Sequence, residues 1–232
     1  MSAAARRSAG VRVSAIIPAL NEEDTIGDAV AALPGDLVER VIVVDGGSAD
    51  RTAERAAAAG ATVVHEPRRG YGRACLTGAR AAAGADVLVF MDGDGSDVAE
   101  QAGALVAPIA AGHADLVLGS RIRGHREPGA LAPHQALGNR LVAAIMNHRH
   151  GLALTDIGPF RAIRADLFAR LAMREMTYGW PAEMIRNAAR AGGRVVEVPV
   201  DYRRRRNGRS KVSGSVRGSA AAAWQLLRVA AR

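Results

Sequence analysis

The chain has 232 residues, 49% hydrophobic and 23% charged, so it can bury a full core and fits one soluble globular domain. Its single cysteine, Cys75, excludes an internal disulfide bond and a cysteine-based zinc site, and is typical of a reducing cytoplasm. The net charge of +8 favours phosphate-rich ligands or an anionic membrane surface. Nucleic acid is not expected as a partner, because no helix-turn-helix, zinc-finger or aromatic stacking motif accompanies the charge.

The two ends of the chain differ in character from its middle. Residues 1–10 contain two arginines but no apolar run, which predicts a disordered lead-in rather than a signal peptide. We expect one domain over residues 11–215 and an amphipathic C-terminal helix over 216–232. No apolar stretch approaches the roughly 18–20 residues that span a bilayer. We therefore expect a cytoplasmic protein, with peripheral contact to the inner face of the membrane and a homodimer both left open.

Short apolar runs alternate with helix-length segments through the first half of the chain. The predicted strands are 11–18, 41–44, 61–65 and a fourth that starts at Val87. The predicted helices are 25–33, 49–59, 73–83 and 98–111. This alternation is typical of βαβ units and predicts an α/β fold with a mostly parallel sheet flanked by helices.

The second half is less regular. A strand is predicted at 116–118, a loop at 124–133, helices at 137–150 and 180–191, and a strand at 194–200. Residues 152–164 carry mixed signals. A strongly basic run, RRRRNGRSK, occupies 203–211.

The segment 87–97, VLVFMDGDGSD, joins a predicted buried strand to a cluster of carboxylates. Asp92 and Asp94 are two residues apart, so in an extended chain both side chains face the same way. Paired hard oxygen ligands suit Mg²⁺ or Mn²⁺, which keep positions open for water and phosphate. An acidic turn with Asp97 capping the next helix remains the alternative.

Four predicted strand ends carry polar or glycine residues, in segments 18–23, 45–50, 68–72 and 92–94. Parallel strands bring their carboxyl ends to one edge of a sheet, where α/β proteins bind ligands. The patterns IIPALNEE, VIVVDGGSAD, PRRGYGRA and VFMDGDGS together resemble those of family 2 glycosyltransferases with the GT-A fold. The later motifs GSR, TDIGPFRAI, GWPAEM, VVEVPVDY and RRNGRSK are similar to those of polyprenyl-phosphate (dolichol-phosphate) mannose and glucose synthases.

The resemblance runs in order from about residue 12 to 213 and implies a function. It implies an inverting, metal-dependent transfer of a hexose from UDP-glucose or GDP-mannose to polyprenyl phosphate. The metal, Mg²⁺ or Mn²⁺, would be held by Asp92 and Asp94, with Asp92 also near the ribose of the donor.

The same resemblance implies the other donor contacts. Residues near the base and ribose of the nucleotide sugar would be Pro18, Ala19, Glu22 and Asp45. Residues near the rest of the nucleotide and its diphosphate would be Arg68, Gly70, Arg205 and Lys211, the last two on a lid formed by the basic run. For Asp45 a turn carboxylate, for Glu22 a charge at a helix N-terminus, and for the basic run a solvated or membrane-facing patch remain alternatives.

An alcohol acceptor would need a general base, for which Asp156 is the first candidate and Glu183 the second. A turn or N-cap role for Asp156 and a helix-surface role for Glu183 stay open. A phosphate acceptor is already anionic, so arginines that position it would matter more than a base. Arg121 and Arg140 are the candidates for holding that phosphate.

Three competing functions remain. One is transfer to a soluble small molecule, since PALNEE and VVDGGS also resemble retaining synthases that glycosylate phosphoglycerate, although GPFRAI argues against these. Another is a nucleotidyltransferase of related fold, which would normally begin with a Gly-rich loop that PALNEE lacks. The third is a non-enzymatic sensor of sugar nucleotides.

Overall fold

The structure, a computed structural model, describes residues 10–206 and 225–230. Within these ranges one seven-stranded sheet is flanked by helices. The strands are β1 (Val13–Ala19), β2 (Val38–Asp45), β3 (Thr62–His65), β4 (Val87–Phe90), β5 (Leu116–Ser120), β6 (Arg161–Arg164) and β7 (Val195–Pro199). The helices are α1 (Ile26–Ala31), α2 (Thr52–Ala58), α3 (Tyr71–Ala81), α4 (Ala102–Ala110), α5 (Pro133–His150), α6 (Ala165–Arg170) and α7 (Trp180–Arg190).

The strands lie in the order β3-β2-β1-β4-β6-β5-β7. β6 is antiparallel to β4 and β5, and the other neighbouring strands are parallel. This architecture confirms the predicted single α/β domain with a mostly parallel sheet.

Several element boundaries differ from the prediction, and two of these differences have a local reason. β1 continues past Pro18 to Ala19, since proline lacks an N–H but its carbonyl still pairs within a parallel ladder. α5 begins at Pro133, within the segment predicted as loop, because proline is favoured in the first helical turn. The Gln135 side chain supports this start by accepting the Ala132 N–H at 3.1 Å.

The short strand β6 and helix α6 were not predicted. β6 reads Arg-Ala-Ile-Arg, with charged residues at both ends and only two apolar ones between them. It is nevertheless buried, because it is inserted between β4 and β5. Its antiparallel direction places the loop that precedes it at the edge where β4 and β5 end.

Both faces of the sheet are buried, as the near-continuous apolar strands imply. Ile16 of β1 packs on the side of α3, α5 and α7, and Ile17 packs on the side of α1 and α4. Trp180 at the start of α7 is fully buried, with its ring 5.0 Å from that of Phe90. Trp180 is therefore a packing residue of the core.

The predicted limits 1–10, 11–215 and 216–232 stay predictions, because residues 1–9, 207–224 and 231–232 lie outside the described part of the chain. Residues 225–230 are helical, and two of them, Val229 and Ala230, are buried. None of the helices in the described ranges has the length together with the apolarity that crossing a lipid bilayer demands.

Candidate active site

The carboxyl ends of β2, β1 and β4 lie side by side, because these parallel strands are neighbours in the sheet. The register pairs Pro18 with Val44 and Ala19 with Asp45. The predicted donor segments after these strands therefore meet at one edge of the sheet, the usual place for a ligand in an open α/β fold.

The loop after β4 carries three carboxylates, those of Asp92, Asp94 and Asp97. Asp94 and Asp97 are 3% and 4% exposed. Asp94 Oδ1 accepts hydrogen bonds from the Ser96 N–H, at 2.9 Å, and from its hydroxyl. Asp97 Oδ2 accepts the Asp92 N–H at 3.0 Å. Asp97 thus closes the acidic loop on itself, and the capping role that remained as an alternative is not what the structure shows.

The carboxylates of this loop disfavour one another's charge. Burial and the charge of Asp94 raise the pKa of Asp92 to about 7. Burial and the charge of Asp92 raise the pKa of Asp97 well above its usual value. Asp97 Oδ1 is also buried without a hydrogen-bond partner. Such a cluster is stabilised by a cation, and its hard oxygens fit Mg²⁺ or Mn²⁺.

Over the described residues, no three His, Cys, Asp or Glu side chains converge closely enough to hold a metal by themselves. Asp92 and Asp94 are therefore the candidate ligands, and waters and phosphate oxygens would have to complete the coordination. This division is the one that Mg²⁺ adopts at nucleotide sites, where it keeps several waters.

The side chain of Arg205 lies across the edge of the sheet at which β1 and β4 end. Its Nη2 forms an ion pair with Asp94 Oδ2, and its Nη1 lies 3.4 Å from Glu22 Oε1. The structure thus brings together three residues predicted for the donor site from three distant parts of the chain.

Asp45 is buried at the end of β2. It accepts hydrogen bonds from the N–H and hydroxyl of Ser48, and its Oδ2 lies 3.3 Å from His65 Nδ1. The carboxylate therefore has the turn role that was kept as an alternative, while it stands at the edge where the donor role was predicted.

Arg68 and Gly70 lie between β3 and α3. Arg68 makes a forked ion pair with Glu66, through Nε and Nη2 at 2.8 Å each, and its side chain stays 67% exposed. Gly70 has φ +143, and a Cβ there would overlap the carbonyl oxygen of Met176. Gly70 thus permits a close approach between this turn and the loop before α7. Glu66 was overlooked in the sequence, where it reads as one more polar loop residue.

Arg121 and Asp156 form a buried pair. Arg121 Nε and Nη2 donate to the two Asp156 carboxylate oxygens at 2.7 and 2.9 Å. Asp156 also accepts the N–H groups of Arg121 and Ile157 and the side-chain amide of Asn139. Burial would raise the pKa of Asp156, but the charge and hydrogen bonds of Arg121 outweigh it and the pKa is lowered. These properties weigh against the predicted base role of Asp156. They leave Nη1 as the one guanidinium nitrogen of Arg121 that does not donate to Asp156.

A second buried carboxylate fixes the position of this pair. Glu197 of β7 accepts the Thr155 N–H and hydroxyl at 2.9 and 2.7 Å and the Asp156 N–H at 3.0 Å. Its role was not predicted, although a lone glutamate between valines in VVEVPVDY was the available signal. Tyr202 covers the other side, with its ring centroid 5.1 Å from the Arg121 guanidinium carbon.

Glu183 lies in the first turn of α7 and is 5% exposed. Its Oε2 accepts the N–H groups of Arg174 and Glu175 at 3.0 and 2.7 Å. It lines a cavity of about 470 Å³ that includes none of the strand-end residues. The geometry therefore favours a role in holding the loop before α7 over the predicted base role.

Arg140 is exposed on α5, next to the Asn139 that contacts Asp156. Successive residues of a helix point in different directions, so this neighbourhood leaves the predicted phosphate-binding role of Arg140 a prediction. Lys211 lies outside the described residues, and its predicted role stays a prediction.

Comparison with known proteins identifies the family to which this chain belongs. The family described as Glycosyl transferase family 2 matches residues 14–172, more than half of the chain. The chain belongs to glycosyltransferase family 2. This result confirms that it is a nucleotide-sugar-dependent glycosyltransferase.

Relatives of this family 2 glycosyltransferase match it over nearly its whole length. An uncharacterised glycosyltransferase of Mycobacterium tuberculosis is 40% identical over 223 residues, which cover 95% of this chain and 99% of the relative. The undecaprenyl-phosphate mannosyltransferase of Micrococcus luteus is 35% identical over 244 residues, covering 94% of this chain and 98% of the relative.

Among solved structures, glucosyl-3-phosphoglycerate synthase from Mycobacterium tuberculosis, in complex with phosphoglyceric acid, has a TM-score of 0.77 and 27% identity. The match covers 97% of this chain and 80% of that one. The same synthase in complex with Mn²⁺, UDP-glucose and phosphoglyceric acid matches with a TM-score of 0.77 and 26% identity, over 97% and 80% of the chains. These matches confirm the GT-A fold predicted for the family 2 glycosyltransferase.

Proposed function

We propose that this glycosyltransferase moves a hexose from UDP-glucose or GDP-mannose to polyprenyl phosphate, with inversion at the anomeric carbon. The observation that carries the proposal is the cluster of Asp92, Asp94 and Asp97 at the end of β4, beside the ends of β1 and β2. Buried carboxylates that repel one another at a ligand-binding edge are a site for a cation and the phosphates that accompany it.

The donor half of the site has two tasks in this proposal. Asp94, with Asp92 beside it, would hold Mg²⁺ or Mn²⁺, which when bound would offset the charge that builds on the departing diphosphate. The glucosyl-3-phosphoglycerate synthase structures with Mn²⁺ and UDP-glucose support this assignment. Pro18, Ala19 and Asp45 would line the base and ribose, and the exposed guanidinium of Arg68 would face the nucleotide.

The acceptor half favours an acceptor that needs no base. Both carboxylates predicted as general bases, Asp156 and Glu183, already accept hydrogen bonds from protein donors. A phosphate monoester is already anionic at neutral pH and needs positioning rather than deprotonation. The two acceptors indicated by the relatives' names, undecaprenyl phosphate and phosphoglycerate, are both phosphates. Arg140 and Arg121 Nη1 are the cationic groups we assign to the acceptor phosphate.

The surface of α5 favours a lipid as the carrier of that phosphate. Leu137 and Leu141 are 69% and 51% exposed, and they lie one helical turn apart on the same face. Arg140 stands beside them, and the 18 residues of α5 include no acidic side chain. An apolar and basic surface of this kind suits contact with an anionic membrane, at about 1 kcal/mol for each basic residue near the lipid.

The experiment that tests the function is a two-stage assay. The first stage measures thermal shifts with UDP-glucose, GDP-mannose and other sugar nucleotides, with and without Mn²⁺, and the proposal expects one donor to stabilise the protein only together with the metal. The second stage supplies that donor with undecaprenyl phosphate in vesicles or with 3-phosphoglycerate, and identifies the product and its anomeric configuration by mass spectrometry and NMR. A product with retained configuration would overturn the proposed inversion. Transfer to 3-phosphoglycerate alone would overturn the lipid acceptor in favour of the soluble one.

A further inference from the structure

The side chain of Arg205 lies where the proposed metal and donor diphosphate would bind. Its guanidinium bridges Glu22, after β1, and Asp94, after β4. The arginine side chain is 25% exposed, whereas those of Glu22 and Asp94 are 12% and 4% exposed. Asp94 is thus a buried carboxylate whose counter-ion is a side chain of the protein itself.

The backbone around Arg205 is tied to the same loop. We call residues 202–206 the strap. The Arg203 N–H donates to the Ser96 carbonyl at 2.9 Å, and the Arg204 N–H donates to Glu127 at 2.7 Å. The Tyr202 hydroxyl lies 3.1 Å from Ser96 Oγ. The strap therefore rests on the acidic loop, and these contacts hold Arg205 within reach of Asp94.

A divalent cation and the guanidinium need the same oxygen. Asp94 Oδ1 is engaged by Ser96, so Oδ2, the atom that pairs with Arg205, is the oxygen left for a metal. A metal at Oδ2 and a guanidinium in contact with it would place two positive groups together. Because both groups are positive, the binding of one weakens the binding of the other at this oxygen.

We propose that Arg205 competes with the divalent cation for Asp94 and thereby makes metal binding depend on the nucleotide. This inference rests on the proposed function. A nucleoside diphosphate offers the guanidinium a planar, bidentate anionic partner of higher charge than Asp94. Arg205 then leaves the carboxylate to the cation and turns to the phosphates. Metal and nucleotide consequently bind with positive coupling, and each raises the affinity of the other by the same factor.

The test is a titration of the protein with Mn²⁺ followed by electron paramagnetic resonance, alone and with saturating UDP or GDP. It compares the wild type with Arg205→Gln and with Arg206→Gln. Arg206 is a matched control, because it lies on the same strap and carries the same charge but pairs with the exposed Asp28 at 2.6 Å. Arg205→Lys, which keeps the charge and loses the planar fork, is a second test at the same position.

We expect Arg205→Gln to bind Mn²⁺ without nucleotide about ten to a hundred times more tightly than the wild type, the scale of one charge-assisted hydrogen bond. The gain in Mn²⁺ affinity on adding nucleotide should shrink by a similar factor. Arg206→Gln should resemble the wild type in both respects, and Arg205→Lys should lie between the wild type and Arg205→Gln.

Equal Mn²⁺ affinities in Arg205→Gln and Arg206→Gln would overturn the competition while leaving the metal site intact. Mn²⁺ that binds to none of the proteins, with or without nucleotide, would overturn the proposed metal-dependent function together with this inference. The two failures are therefore distinguishable.

Discussion

Arg121 and Asp156, which the sequence predicted for different steps of one reaction, bind each other. The guanidinium forks onto the carboxylate at 2.7 and 2.9 Å, and both side chains are almost completely buried. The pair is anchored further by Asn139 and by the Glu197 that holds the Asp156 N–H. Its first function is therefore to fix the loop before β6 against β5.

Asp156→Asn should destabilise the fold more than it harms chemistry. Removing one partner of a buried ion pair leaves the other uncompensated, which costs about 3–5 kcal/mol. Thermal unfolding should show this loss, while kcat of the remaining folded enzyme falls by less than about tenfold, the smallest effect ascribed to a lost general base being roughly a hundredfold. Asp166→Asn is the control, because Asp166 pairs with Arg164 and Arg170 at the surface, where such pairs contribute about 0–1 kcal/mol. A large fall in kcat at unchanged stability would restore Asp156 as a base.

Asp94→Asn should abolish transfer without unfolding the protein. The substitution keeps the shape of the side chain and removes the charge that would hold the cation. We expect loss of the Mn²⁺-dependent thermal shift and of turnover. Asp28→Asn removes an exposed carboxylate that pairs with Arg206, the neighbour of Arg205, and should leave both unchanged. Metal-dependent turnover that survives in Asp94→Asn would contradict the metal assignment.

Glu66 should stabilise the protein only above acidic pH. The hydrogen bonds from Arg68, with help from Thr77, lower the pKa of Glu66 from 4.5 to about 2. A lowered pKa in the folded state means that the stabilisation is full above about pH 4.5 and is lost as the pH falls through about 2. Melting temperatures of the wild type and Glu66→Gln should therefore differ at pH 7 and converge only below about pH 2. A difference that does not depend on pH would contradict the ionic origin.

Two helical glycines should respond in opposite directions to alanine. A methyl group at Gly78 of α3 would overlap Ile16 Cγ2 and lie 2.9 Å from Val44 Cγ2, so Gly78→Ala should cost about 1–3 kcal/mol. Nothing lies within 4 Å of the same position at Gly138 of α5, so Gly138→Ala should gain about 1 kcal/mol from helix propensity. Denaturant unfolding measures both. Equal shifts would show that the contact between α3 and the sheet can relax.

The exposed leucines of α5 should matter for lipid but not for donor. Replacing Leu137 and Leu141 together by serine removes the apolar surface that would meet the membrane. Binding to anionic vesicles and transfer to vesicle-borne undecaprenyl phosphate should weaken, while the donor-induced thermal shift stays the same. Serine at the exposed Ala144 of the same helix is the control. Unchanged vesicle binding would argue that the acceptor reaches the site from solution.

The sequence predicted the donor half of the molecule better than the acceptor half. β1 to β4 each contain consecutive apolar residues and have an acidic residue at the end or within three residues after it, so both the strands and their shared edge are visible in the local sequence. The Arg121–Asp156 pair joins residues 35 positions apart, and Arg205 contacts Glu22 across 183 positions. Such contacts depend on the folded topology, so they cannot be predicted from local sequence patterns.

β6 illustrates the same limit for a strand. Two of its four residues are arginines, so neither alternation nor an apolar run marks it as a strand. Burial comes from its neighbours β4 and β5, which supply both ladders. Tertiary context overrides local propensity in this case.

The reversed direction of β6 also has an evolutionary consequence. Arg161, the first residue of β6, is paired with Phe90, the last residue of β4. The loop before β6, from the second half of the chain, therefore lies at the edge of the sheet where β4 ends, without a crossover helix. Apart from the strap, the groups we assign to the nucleotide sugar precede residue 98 and those we assign to the acceptor follow residue 115. Recombination between relatives within residues 98–115 would therefore exchange the part of the chain assigned to the acceptor and keep the strand ends assigned to the sugar nucleotide.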